Sequence, residues 1–387
     1  MPERKLRTSY AKDMALFPDR VNKTWLVVLI VVLVAFPFLT RTDLPVIGVS
    51  GSFWLTIGIS ILIAATAALG LNLLSGFAGQ VSLGHAFFLG VGAFVGAMVT
   101  QQPGATTLSG VSFWGFGLPW WVAVLAGGLV AAVLGLLVAP AAVRLRGLYL
   151  SLVTVALVFF GEFLFGAPGL EKITGASRGR SAPPISLVLP GQEEALFGLS
   201  NREELYFASL IVAIVAYLVG KNIARSRVGR AFQATRDRDI AAEVIGVNVT
   251  WAKLVAFGIS SFYAGAAGVL LGVFLGNPIG SNFGGGAGLL LSVEYVAMIV
   301  IGGIGTVLGA ALGALFVVGL PELVSYLAQQ GWLPFVADVG GGTFDTAVFS
   351  AILFGLFIIL FLVFEPLGLF GIWLRVRNYW KGWPFSY

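Results

Sequence analysis

The chain has no cysteine, a single histidine and little charge of either sign. The first absence excludes disulfides, thiolate metal sites and a cysteine nucleophile. The second excludes a multi-histidine metal centre within the chain, and no metal or other cofactor is expected. The third says most about fold class. Charged residues make up 11% of the 387 positions, where a soluble domain carries roughly 25% to keep its surface in water. A nucleotide-binding loop is also missing. Gly220-Lys221-Asn222 lacks the glycine spacing and the hydroxyl that would hold magnesium, so this chain is not expected to hydrolyse ATP.

What remains is apolar. Hydrophobic residues are 58% of the sequence, mean hydropathy is +0.95, and the 52 glycines sit inside apolar runs rather than in polar loops. That pattern is expected of membrane helices whose backbones pack closely. The fold class is an all-α polytopic bundle of about ten spans: Trp25–Leu39, Phe53–Leu74, Val81–Thr100, Trp120–Val143, Leu148–Gly166, Leu205–Ala224, Ala252–Leu275, Leu289–Gly302, Val307–Ala328 and Ala347–Phe364. The third and eighth are glycine-rich and short for the roughly 20 residues of a straight crossing, so they read as broken or re-entrant. The basic stretch Arg4, Lys5, Arg7 and Lys12 before the first span reads as a retained signal-anchor, since no small-x-small cleavage site follows Leu39.

Basic residues orient these spans. With the N-terminus inside, inner loops hold 18 of the 23 lysines and arginines, leaving Arg41, Lys172, Arg178, Arg180 and Arg202 outside. The positive charge, with pI near 9.5, is thus accounted for by the membrane, and no nucleic-acid partner is expected. The expected organisation is a cytoplasmic segment 1–24, a transmembrane domain 25–371 and a cytoplasmic tail 372–387. The domain includes an external loop 167–204 and a patterned inner loop 225–250. The expected location is a cell membrane, with both termini on the cytoplasmic side.

Four features stand out. Asn72, Gly76, Gln80, Ser82 and His85 surround a glycine-rich break, which reads either as a tight interhelical turn or as backbone received by a polar path. His85 has no carboxylate nearby in sequence and reads as a polar group satisfied by helix neighbours. The carboxylates Glu162, Glu294 and Glu322 fall within spans; Glu162 and Glu322 lie close enough to span ends to snorkel, which leaves Glu294 the better candidate for a functional role. Glycines four apart, Gly92/Gly96 and Gly305/Gly309/Gly313, predict close helix packing. Finally, the segment 226–247 reads as an amphipathic helix along the membrane, with Ala231, Ala234, Ala241, Ala242 and Ile245 as its apolar stripe and Gly246 as its stop. Its mixed Arg and Asp suit a protein partner better than lipid.

At these residues the chain resembles the LivM-type permease subunits of branched-chain amino acid ABC importers. The resemblance rests on Leu69-Gly70-Leu71-Asn72-Leu73, Ser82-Leu83-Gly84-His85-Ala86-Phe87, Arg146-Gly147-Leu148-Tyr149 and Gly229-Arg230-Ala231. It extends through Lys253-Leu254-Val255-Ala256-Phe257, Ser292-Val293-Glu294-Tyr295, Gly302-Gly303-Ile304-Gly305-Thr306 and Glu365-Pro366-Leu367-Gly368-Leu369. It implies a paralogous permease, two cytoplasmic ATPases and an external solute-binding protein as partners, besides the bilayer. Ala241-Ala242-x3-Gly246 resembles the loop by which such permeases dock on their ATPases, with Ile240 where that pattern has Glu. Gly229, Arg230, Arg236, Asp237, Asp239, Ala241, Ala242 and Gly246 are the implied coupling residues, with Asp239 or Glu243 as substitutes for the missing acid. Asn72, Gly76, Gln80, Ser82, His85 and Glu294 are the implied path. Around Arg178 and Arg180 the chain departs from an uncharged glycine-rich stretch, which suggests altered contact with a binding protein or substrate. Urea and short-chain amide importers use similar permeases. The rival class is an ion-coupled transporter in which Glu162, Glu294 and His85 carry protons; a membrane-embedded enzyme ranks behind both.

Overall fold

In a computed structural model the chain is described over residues 20–41, 51–104, 114–145, 147–186, 199–330, 332–333, 336–337, 344–365 and 367–382. Arg4, Lys5, Arg7, Lys12, Asp43, Arg146, Glu193, Glu194, Asp338 and Pro366, on which parts of the topology and the resemblance lean, lie outside the described residues.

Each apolar run forms a helix because a backbone without water must pair its own N–H and C=O groups. The long helices are α1 (Arg20–Arg41), α2 (Gly51–Leu71), α3 (His85–Thr100), α4 (Trp120–Arg144) and α5 (Leu148–Gly166). A short α6 (Glu171–Thr174) precedes α7 (Asn201–Arg225), α8 (Arg227–Asp237), α9 (Asp239–Val244) and α10 (Val249–Leu275). Then come the one-turn α11 (Gly280–Phe283), α12 (Gly285–Gly302), α13 (Val307–Gln329), α14 (Thr346–Phe364) and α15 (Gly368–Gly382). Two-residue strands β1 (Val336–Ala337) and β2 (Phe344–Asp345) pair in parallel between α13 and α14. Among the described residues, seven helical segments are long and apolar enough to cross a membrane, and three shorter apolar ones accompany them. Each of the ten expected apolar runs coincides with one of these helices, seven of them at crossing length. The eighth is broken, as the glycines suggested: extended Gly284 (φ −115°, ψ 173°) and Gly285 (φ +57°) separate α11 from α12 within the apolar segment Gly280–Gly302. The third does begin late, at His85 rather than Val81, because the preceding residues form an irregular loop.

Glycine sets the packing. A Cβ on Gly92 of α3 would stand 2.0 Å from Gly265 O of α10, and one on Gly265 would stand 2.4 Å from Gly127 O of α4. Three helix backbones therefore touch, which only small residues permit. The second small-residue face works likewise: a Cβ on Gly313 of α13 would fall 1.8 Å from Met298 O of α12. Around this centre, Leu129, Val133 and Leu137 of α4, Phe159 and Phe163 of α5, and Leu356, Ile359 and Val363 of α14 are exposed. Such apolar faces suit lipid.

Contacts between connections gather at two ends of the bundle. At one end Arg41, closing α1, grips Glu203 at the start of α7, with Nε to Oε1 at 2.5 Å and Nη2 to Oε2 at 2.8 Å. At the other end, α8 lies against the turn after α2, and Arg375 of α15 pairs with Glu365 beyond α14. That second end carries Arg225, Arg227, Arg230, Arg236 and Arg238 and is called the basic end below.

The inner loop forms two helices, not one. Arg238 is extended (φ −157°, ψ 104°), and it separates α8 from α9. The buried face also differs from the expected alanine stripe. Gly229, Phe232 and Thr235 of α8 are buried together with Ala242 of α9, while Ala241 and Ile245 face outward. Phe232, three residues from both Gly229 and Thr235, is the large apolar side chain that marks this face.

Candidate functional site

After Leu71 the helix widens into a π turn, Asn72–Phe77, closed by Ala78 N donating to Leu73 O at 3.3 Å and Gln80 N to Leu74 O at 3.2 Å. Such turns displace side chains and cluster at functional sites. Here the turn aims Asn72 across the bundle. Its Nδ2 donates to Thr306 O at 2.7 Å, and its Oδ1 accepts from Gly305 N at 2.8 Å. One fully buried amide thus joins the break after α2 to the glycine turn between α12 and α13. The fit is tight, since a Cβ on Gly76 would lie 2.0 Å from Asn72 Oδ1 and 2.5 Å from Gly305 N.

The coupling segment meets the same junction. Arg236 Nη1 donates to Gly76 O at 2.5 Å. Gly79 (φ +69°) lies beneath Arg236, where a Cβ would stand 3.1 Å from Arg236 Cα, and a Cβ on Gly305 would stand 2.7 Å from Arg236 Nη1.

Beyond the turn, the start of α3 is capped by other helices. Leu83 N donates to Thr154 Oγ1 of α5 at 2.9 Å, and Ala86 N donates to Ser292 Oγ of α12 at 3.1 Å. Ser82 Oγ accepts from Gly84 N at 3.4 Å. These orphan donors need partners in an apolar setting. Thr154 was not singled out in the sequence, and Ser292 stood there only as part of Ser292-Val293-Glu294-Tyr295; isolated hydroxyls in apolar spans were the available signal. His85 is buried, donates through Nε2 to Ala67 O at 3.0 Å, and meets the Tyr295 ring edge-on at 5.2 Å between centroids. Both contacts tie the start of α3 to neighbouring helices, α2 and α12.

Gln80 is 5% exposed, and its two amide atoms have no hydrogen-bond partner among the described residues. Glu294 is half-buried on α12 and forms no hydrogen bond or ion pair among the described residues, nor does any contact draw it into the junction. Asn72 and Gly76 meet at one point; Ser82 and His85 share the capped start of α3; Glu294 stands apart. Glu162 is exposed, lying against Gly284 and Gly285 at the start of α12.

Among the coupling residues, Asp239 Oδ2 lies 3.7 Å from Lys253 Nζ, so one of the two candidate acids is engaged within the chain. Glu243 is exposed on α9, flanked by Ile240, Val244 and Ile245, which are 69%, 83% and 74% exposed. Gly246 ends the segment in the left-handed region (φ +86°), as its position as a helix stop requires. Arg230 and Asp237 are exposed on α8, whereas Gly229 is buried against the end of α7.

At the opposite end, Arg180 is wholly buried. Its Nη1 donates to Lys172 O at 3.0 Å and Ile173 O at 2.9 Å, and its Nη2 bonds Trp114 O. Burial pulls the guanidinium down to about 10, so it stays protonated at neutral pH. The expectation that Arg180 meets a partner or substrate is therefore corrected: it is an internal strut. Arg178, two residues earlier, is exposed.

A glycine-packed helical bundle with an amphipathic helix pair wired to its interior turns has the build of a membrane permease. The chain belongs to the family described as the branched-chain amino acid transport system permease component, which matches residues 53–362. It is similar to the high-affinity branched-chain amino acid transport system permease protein LivM of Salmonella typhimurium, 27% identical over 90% of this chain and 75% of the relative. It is similar to the same protein of Escherichia coli K12, 27% identical over the same shares of the two chains. Permease protein BraD of Pseudomonas aeruginosa is 31% identical over 52% of this chain and 60% of its own length. No solved structure matches. The chain is accordingly a multi-pass permease subunit of an ABC importer, a class that works with a partner ATPase and a binding protein.

Proposed function

We propose that the chain forms half of the path of an ATP-driven importer for branched-chain or related amino acids. A paralogous permease supplies the other half, two ATPases grip the basic end, and a solute-binding protein delivers at the opposite end. The basic end faces the cytoplasm, with both termini there, in keeping with its arginines. The observation that carries the reading is the α8–α9 pair. It rests on the bundle through Phe232 and Ala242 while turning Ile240, Val244 and Ile245 to solvent around Glu243. An apolar patch outside the membrane with a charge at its centre suits a protein partner.

The chain's lack of cysteine makes the test clean. Val244→Cys and Trp114→Cys, each in the full chain, are treated with an impermeant maleimide on intact cells. Labelling at 114 alone, with 244 reacting only after permeabilisation, is expected. Labelling of 244 from outside would remove the basic end from any ATPase's reach and end the proposal. Uptake of leucine, urea and aromatic amino acids by the assembled importer then separates the substrate classes.

A further inference from the structure

Two hydrogen-bonded links run in series at the basic end. Arg236 of α8 holds Gly76 O at 2.5 Å. Four residues back in the same π turn, Asn72 holds Gly305 N and Thr306 O at 2.8 and 2.7 Å. The turn after α2 and the turn between α12 and α13 are thereby fastened to the coupling segment and to each other. Glycine closes the remaining slack: a Cβ on Gly76 would collide with Asn72 and the facing Gly305 backbone, and one on Gly79 or Gly305 would crowd Arg236. A close-packed junction transmits displacement instead of absorbing it.

We infer that Arg236 and Asn72 are positioning residues of a clamp that makes both interior turns move with α8 as one body when the ATPases close. The inference rests on the importer reading and deepens it. Docking and transmission are assigned to different residues. The outward apolar patch of α9 holds the ATPase, and Arg236 passes its motion inward. The stem of Arg236 lies over Gly79 before its guanidinium reaches Gly76 O.

The experiment uses the assembled importer in proteoliposomes, with leucine-loaded binding protein and ATP, and reads leucine moved per ATP hydrolysed. Arg236→Ala and Asn72→Leu are each expected to lower that ratio roughly tenfold or more, the scale of losing a hydrogen bond to a charged or buried group. Arg236→Lys, which keeps a donor, should recover part of it. The double variant should be no worse than the more severe single one, because links in series fail together. The ATPase should still co-purify with Arg236→Ala. Loss of co-purification would make Arg236 a docking contact and overturn the clamp, as would an unchanged ratio. Should a variant not assemble, hydrogen exchange on the wild-type complex decides: protection of 76–84 and of 303–306 must change together on ATP binding, and independent change overturns the inference. Leucine uptake by the wild-type complex without ATP would instead sink the importer reading itself.

Discussion

Asp239 is committed to Lys253, Oδ2 to Nζ at 3.7 Å, and this leaves Glu243 as the acid that α9 presents outward. The two substitutions therefore separate. Glu243→Lys should weaken co-purification with the ATPase by about tenfold or more, since a reversed charge within an interface acts against the partner directly. Asp239→Asn should instead cost stability, about 1 kcal/mol for a partly exposed pair of this length, with binding reduced less. Pull-down yield and thermal unfolding in detergent, measured on both variants, check the assignment. Equal loss of binding would return Asp239 to the interface.

Arg180 gives a prediction at the opposite end. Its guanidinium satisfies carbonyls of Trp114, Lys172 and Ile173, and its own backbone N–H reaches Pro278 O at 3.2 Å. Arg180→Met keeps the buried volume and removes the donors, so the carbonyls lose their partners at a cost of about 2–4 kcal/mol. Arg180→Lys restores one direction of bonding and only part of the stability, because an ammonium lacks the planar fork. The melting midpoint should fall in the order wild type, Lys, Met, with protease cutting gained near 172–182. Arg178→Ala, at an exposed position, should leave the midpoint where it was.

Two glycines of α13 predict opposite signs. Gly313 has no room, its added Cβ falling 1.8 Å from Met298 O, whereas Gly319 has nothing within 4 Å. Gly313→Ala should destabilise by about 1–3 kcal/mol through forced separation of α12 and α13. Gly319→Ala should be neutral or stabilise by up to about 1 kcal/mol, since alanine is the better helix former. Thermal unfolding of the two single variants reads the difference. A shared sign would mean that the α12–α13 contact is looser than described.

The apolar helices were legible in the sequence because lipid imposes a local rule: each apolar run must pair its own backbone. Small-residue faces were legible for a similar reason, as spacing four apart marks one side of a helix. What was hidden is non-local. Nothing near Asn72 in sequence names Gly305, and nothing near Leu83 or Ala86 names Thr154 or Ser292. The break at Arg238 has no glycine or proline to mark it, and the partner of Asp239 just beyond it, Lys253, lies on α10. Arg180 was read as a surface charge because arginines are rarely buried. Its burial depends on three carbonyls from two separate segments.

His85 tests the boundary between packing and chemistry. The ion-coupled rival gives this residue a proton to carry. In the fold, however, Nε2 is occupied by Ala67 O, the ring edge meets Tyr295, and the side chain is buried. A group held this way aligns α3 against α2 and α12. His85→Gln retains an amide donor for Ala67 O and should preserve leucine uptake to within about threefold, while His85→Leu loses the bond and should lower stability by about 1 kcal/mol. Neither should change how uptake varies with pH around 6.5, where an ordinary histidine titrates. A profile that moves or flattens in His85→Gln, with assembly intact, would show protonation of this ring to be part of transport. In that event α3 would be a proton path, and ATP-driven motion of the clamp would no longer account for transport alone.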